Sequence, residues 1–212
     1  MKLYGYWRST ASYRIRMALA LKHLDYTQES VDLAGGAQLA EGFEAISVQR
    51  LVPVLELDNG ARITQSQAII DYLEHAHPAR PLLPSEPFAR AEVLSFAAAI
   101  ACDIHPLGNL RVQKYVGQTY GVGREGGPQW AKHWIEVGFA ALETKAAARQ
   151  TCFLCGDQPG YAECFLIPQI YNAVRFGVDM RQYPALSAVN DAVLAWDGIA
   201  PCVPEAQHDA NP

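Results

Sequence analysis

A cation and three hydroxyls, Arg8, Ser9, Thr10 and Ser12, stand where a short apolar strand turns into a helix. The first N–H groups of a helix lack internal partners, and the aligned peptide dipoles leave partial positive charge there. An anion at such a terminus is stabilised. A thiolate is one such anion, since thiols of pKa ~8.5 fall to ~3.5–7.5 beside helix N-termini and cations. The same residues also suit plain capping, in which a hydroxyl accepts a backbone N–H. On spacing alone the cap is the plainer role.

Other groupings carry less. Cys152 and Cys155 have the C-x-x-C spacing of redox pairs and half-zinc sites. No second pair accompanies them and they do not follow the first strand, so packing is expected. His75 and His77 precede a proline-rich stretch and read as solvated, and no metal site is expected. Gly121 to Gly127 is glycine-rich but lacks a following Lys-Ser/Thr, so it reads as a loop and not a phosphate cradle. The four Trp read as packing or interface residues.

The 212 residues, half apolar and 18% charged, suffice for one or two domains. A net charge of −5 argues against nucleic acid as a partner, because phosphate binding needs surplus cations. Twelve of the seventeen cations are Arg, a mild bias toward small anionic substrates. No run of about eighteen apolar residues appears, so no membrane span is expected. The N-terminus lacks the apolar stretch of an export signal, and five scattered cysteines make no disulfide framework. A cytoplasmic protein is expected.

The elements that must position residues 8–12 follow an alternating order. Residues 2–6 read as a strand and 12–24 as a helix whose two faces, Ile15, Ala18, Leu19, Lys22 and Met17, Leu21, Leu24, call for packing on both sides. Residues 26–31 read as a strand and 38–46 as a helix. Asp58-Asn59-Gly60 between two apolar runs signals a hairpin. A third helix spans roughly 66–75. Four prolines between His77 and Pro87 then mark a linker. Beyond it, helical periodicity covers 88–115, 128–149, 161–176 and 183–196. The fold class is α/β plus all-α, with domains at 1–82 and 87–212.

The run from Arg8 to Leu19, Arg8-Ser9-Thr10-Ala11-Ser12-Tyr13-Arg14-Ile15-Arg16-Met17-Ala18-Leu19, resembles the signature of the zeta-class glutathione transferases, the maleylacetoacetate and maleylpyruvate isomerases. The likeness continues through Leu51-Val52-Pro53, Gln65 to Leu73, Leu82-Leu83-Pro84, Asp103 to Asn109, Arg175 to Asp179 and Tyr183-Pro184. It covers nearly the whole chain in register. The ordered set is far more specific than any one motif.

The resemblance implies a thioredoxin-like N-terminal domain, a helical C-terminal domain, a homodimer, and glutathione as cofactor. It implies that Ser9 stabilises the glutathione thiolate, with Thr10 and Ala11 as backbone donors beside it. Val52-Pro53 would hold the cis peptide that pairs with the cysteinyl part. Gln65 and Ser66 would take the γ-glutamyl carboxylate, and Gln49, with Gln38 second to it, the glycyl end. His105 and Asn109 would approach the cofactor from the helical domain. Arg8, Arg111 and Arg175 would bind a maleyl dicarboxylate, with Arg8 and Arg175 holding it as the double bond rotates during reversible thiol addition. The product would be the fumaryl isomer. Maleylpyruvate and maleylacetoacetate both remain open, as do a general transferase or dehalogenase and a non-catalytic binding module; the presence of Ser9 and Gln65-Ser66 speaks against the last.

The chain departs from the family pattern at three places. Ala11 stands where family members often have Cys. Ser47-Val48 replaces Asn-Pro before the loop that carries Gln49. Gly160 and Glu163 replace the Ser/Thr and Asp of a helix cap, which predicts a modest loss of stability and none of function.

Overall fold

In the computed structural model, which describes residues 1–211, four strands form one sheet: β1 (Lys2–Gly5), β2 (Thr27–Ser30), β3 (Val54–Glu56) and β4 (Arg62–Thr64). Their spatial order is β2, β1, β3, β4. β1 runs parallel to β2 and antiparallel to β3, and β3 runs antiparallel to β4. A parallel pair needs a crossover, and α1 (Thr10–Leu21) supplies it. The expected hairpin joins β3 to β4. Gly60 takes φ +81° and the Asn59 side chain accepts the Ala61 N–H at 3.0 Å.

Helix α1 is buried without a break from Ser12 to Leu19, as two apolar faces require. It packs on α2 (Ser66–Ala76) and on a single turn at Ala200–Cys202. Lys22, which shares the Ile15 face, is buried too. Its Nζ lies 2.6 Å from Glu74 Oε1 and also donates to the His77 and Arg80 carbonyls. Glu74 in turn accepts the Leu82 N–H with both oxygens. The expected linker therefore begins as an ordered strap rather than a tether.

Residues 38–46 do not form the expected helix. They make two single turns, Ala37–Leu39 and Phe43–Ala45. Gly36 at φ +83° and Gly42 at φ +89° each precede a turn in the left-handed region, which a continuous helix does not admit.

The chain divides into two compact units, 1–83 with the residues from 195 onward, and 84–194. The residues from 195, read from sequence as the end of the helical domain, lie with the first unit. The reason is specific hydrogen bonding. Arg16 Nε donates to the Cys202 carbonyl at 2.9 Å, the Trp7 N–H reaches Asp209 at 3.1 Å, and Ser30 Oγ meets His208 Nε2 at 3.0 Å.

The second unit is helical: α3 (Pro87–Ala98), α4 (Leu110–Thr119), α5 (Gly123–Ala147), α6 (Tyr161–Arg175) and α7 (Pro184–Leu194). The periodic stretch 88–115 is not one helix. After α3 it widens into a π-helical turn, Ala99–Ile104, then breaks around Pro106 and restarts where Asn109 caps α4. Nor is Gly123 to Gly127 a loop; it is the first turn of α5. Its glycines permit close approach, since a Cβ on Gly127 would lie 2.9 Å from both Cβ and O of Gln113 on α4.

At the start of α6 the Glu163 side chain is fully buried. One oxygen accepts the Gly160 N–H at 2.8 Å and the other the Leu154 N–H at 2.7 Å. The carboxylate half of the cap is thus present, and its extra methylene reaches a second loop. Burial pushes the carboxyl pKa up against the pull of these donors.

Candidate functional site

Ser9 is the N-cap of α1. Its Oγ accepts the Ser12 N–H at 3.2 Å, and its carbonyl starts the helix by accepting the Tyr13 N–H. Capping engages an oxygen lone pair and leaves the hydroxyl proton to donate elsewhere. The cap and the thiolate donor are therefore compatible roles for one side chain. Thr10 is buried and Ala11 half-buried in the first turn, where the helix dipole is positive. Arg8 is half-buried, with its guanidinium 5.1 Å from the ring centre of the buried Trp7.

Val52-Pro53 is cis, as the resemblance implies. Val52 is half-buried against the cluster of Tyr4, Val31, Phe43 and Val54.

The start of α2 is unusual. Gln65, at the N-cap, has φ +69° and ψ +119°, a backbone state that costs a non-glycine residue of order 1–3 kcal/mol and concentrates at ligand clamps. Its side chain does not cap the helix. Instead Nε2 donates to Gln49 Oε1 at 2.6 Å. Ser66 follows, 7% exposed, and its Oγ accepts from Arg14 Nη1 at 3.1 Å. Arg14 is itself 2% exposed, so a buried cation reinforces the helix dipole at this terminus. Because Arg14 lies in α1, the same bond ties the start of α2 to a point five residues beyond Ser9.

Gln49 rides on a loop that Ser47 fixes. Ser47 is 1% exposed; its Oγ donates to the Leu51 carbonyl at 2.9 Å and accepts the Leu51 N–H at 3.2 Å. The Asn-Pro departure at Ser47-Val48 leaves the loop closed by a serine hydroxyl. Gln38 sits in the first of the two single turns, and its Oε1 is buried without a hydrogen-bond partner among the described residues.

In the second unit His105 is half-buried and closes the π-helical turn, its N–H donating to the Ile100 carbonyl at 2.8 Å. The Asn109 side chain accepts the Arg111 N–H at 3.1 Å, so it serves α4 as a cap, and Arg111 is exposed. Arg175 ends α6, exposed, with Nη1 3.0 Å from Asn172 Oδ1 and its guanidinium 5.5 Å from the Phe176 ring centre.

Arg14 had no role in the reading of the sequence, and Ser47 entered it only as a departure from the family pattern. Arg14 carried a signal nonetheless. Two cations, Arg14 and Arg16, lie within a helix apolar on both faces, and such cations are buried only when hydrogen-bonded. Ser47 gave no sign of its two bonds to Leu51, since a serine in a polar loop looks like any other.

Residues 3–81 match the family described as glutathione S-transferase, N-terminal domain. Over 99% of its length the chain is 43% identical to the maleylacetoacetate isomerase of Pseudomonas aeruginosa, covering 98% of that protein. The holo structure of maleyl pyruvate isomerase, a bacterial zeta-class glutathione S-transferase, matches with a TM-score of 0.96 at 38% identity, covering 100% of both chains. The chain belongs to the zeta-class glutathione transferases. Its mixed sheet followed by helices is the fold of that class. A further similar structure, the maleylacetoacetate isomerase of Anaeromyxobacter dehalogenans, is solved with dicarboxyethyl glutathione and citrate in its active site. It matches with a TM-score of 0.88 at 36% identity, covering 100% of this chain and 94% of that one.

Proposed function

We propose that this protein is a glutathione-dependent isomerase that converts a maleyl dicarboxylate, maleylpyruvate or maleylacetoacetate, to its fumaryl isomer. The observation that carries the reading is Ser66, held by the buried Arg14 at the start of α2 while Gln65 keeps a strained backbone beside it. This is a seat for a carboxylate, tied through α1 to the hydroxyl of Ser9. Glutathione offers that pairing of groups, a carboxylate at one end and a thiol in the middle. The donor set fits it.

Bound glutathione supplies a thiol nucleophile able to add reversibly to a conjugated cis double bond. Ser9 donates its hydroxyl proton toward the sulfur, and the α1 terminus adds positive potential. Gln65 and Ser66 take the γ-glutamyl carboxylate, Val52 the cysteinyl backbone, and Gln49 with Gln38 the glycyl end. Arg8, steadied on Trp7, takes one substrate carboxylate as a planar two-pronged donor. Arg111 and Arg175 keep the role their family implies, binding dicarboxylate and offsetting the charge that develops on the substrate. His105 and Asn109 complete the proposed cofactor contacts. No net proton transfer is needed, because the product is an isomer.

The proposal extends to a cytoplasmic homodimer, supported by family membership; among the described residues no helix is long and apolar enough to cross a membrane. The central test incubates the protein with maleylpyruvate or maleylacetoacetate and follows loss of the cis compound with and without glutathione. Glutathione-dependent loss of either is expected. No dependence with both rejects the reading.

A further inference from the structure

Trp7, the residue before Arg8-Ser9, is held at both of its backbone polar groups. Its N–H donates to Asp209 Oδ2 at 3.1 Å, and its carbonyl accepts from Arg16 Nη2 at 3.0 Å. Arg16 is fully buried, and its Nε donates to the Cys202 carbonyl at 2.9 Å. Asp209 is steadied in turn by Gln28 Nε2 at 3.4 Å, and the neighbouring His208 by Ser30. The residues around 202–209 therefore form a brace across β2 whose inner contact is the Trp7 peptide. The backbone next to it is already fixed, because the Ser9 N–H donates to the Tyr6 carbonyl at 3.0 Å. Trp7 is where the brace meets the loop.

We propose that Asp209 is a positioning residue for the thiol site: by holding the Trp7 N–H it sets where the Arg8 guanidinium and the Ser9 hydroxyl stand. The inference rests on the reading of Ser9 given above. Displacing a reacting group by about 1 Å can cost ~100-fold in rate. One carboxylate on the terminal segment thereby controls two residues about two hundred positions away in the chain.

The test compares Asp209→Ala, Asp209→Asn and Ser30→Ala with the unaltered protein. Two readouts are independent of turnover: the ultraviolet absorbance of bound glutathione thiolate as a function of pH, and hydrogen exchange at the Trp7 amide. Asp209→Ala is expected to move the thiolate midpoint upward and to speed Trp7 exchange. Asp209→Asn keeps an acceptor oxygen and is expected to restore both. Ser30→Ala cuts only the outer bond to His208 and is expected to change neither. A thiolate midpoint in Asp209→Ala equal to that of the unaltered protein overturns the inference alone. No thiolate in the unaltered protein overturns the reading of Ser9 and this inference with it.

Discussion

Arg14 Nη1 lies 3.1 Å from Ser66 Oγ, so a buried cation of one helix props the first residue of another. Ser66→Ala removes an acceptor from a buried guanidinium, and a hydrogen bond to a charged group is worth about 1.5–3 kcal/mol. The variant should melt lower and bind glutathione more weakly. Calorimetric titration with glutathione checks the second effect, and unchanged affinity would remove Ser66 from the carboxylate seat.

Ser9 has two duties that substitution separates. Ser9→Ala loses the cap, at a cost of about 1 kcal/mol, and also loses the donor to sulfur. Ser9→Thr retains a hydroxyl for both. Thiolate absorbance should therefore be lost in the first variant and kept in the second.

Ser47→Ala breaks both hydrogen bonds to Leu51. The loop that carries Gln49 should loosen, raising the KM for glutathione more than it lowers kcat. Steady-state kinetics with glutathione as the varied component checks this split.

Gly160→Thr should stabilise the protein. Gly160 has φ −137° and ψ −149°, a negative-φ extended backbone not reserved to glycine, and Glu163 already supplies the other half of the cap. Replacing glycine where the backbone permits gains about 0.4–1 kcal/mol. A thermal melt should rise by about 1–4 °C, and a melt no higher than that of the unaltered protein contradicts the cap.

Asp179 gives a pH prediction. Hydrogen bonds from the Arg181 side chain, and then from its backbone N–H, lower the carboxyl from the ordinary 3.8 to about 2. A lowered folded pKa means that its stabilising contribution is complete above 3.8 and is lost as pH falls toward 2. In Arg181→Gln the carboxyl should titrate closer to 3.8, as followed by its carbonyl NMR shift.

Much of this was legible in sequence because it is local. Asn59-Gly60 declares its hairpin, and the prolines from 78 to 87 declare the change from sheet to helices. Ser9, Thr10, Gln65 and Ser66, all proposed for the site, stand at helix starts, where chemistry and position coincide. What escaped is set by contacts distant in sequence or by backbone angles. Nothing in residues 38–46 announces that Gly36 and Gly42 take positive φ, and the glycines of 123–127 look like a loop until α4 lies against them. Periodicity places Arg16 inside a helix but does not name the carbonyl that satisfies it.

That carbonyl belongs to Cys202, 186 positions away. At a synthesis rate of about 5–20 residues per second, Arg16 waits roughly 10–40 s for its acceptor to emerge from the ribosome. The helical unit, contiguous from 84 to 194, is complete before then. Of the two units, the one whose synthesis begins earlier is thus the one that receives its closing hydrogen bond later.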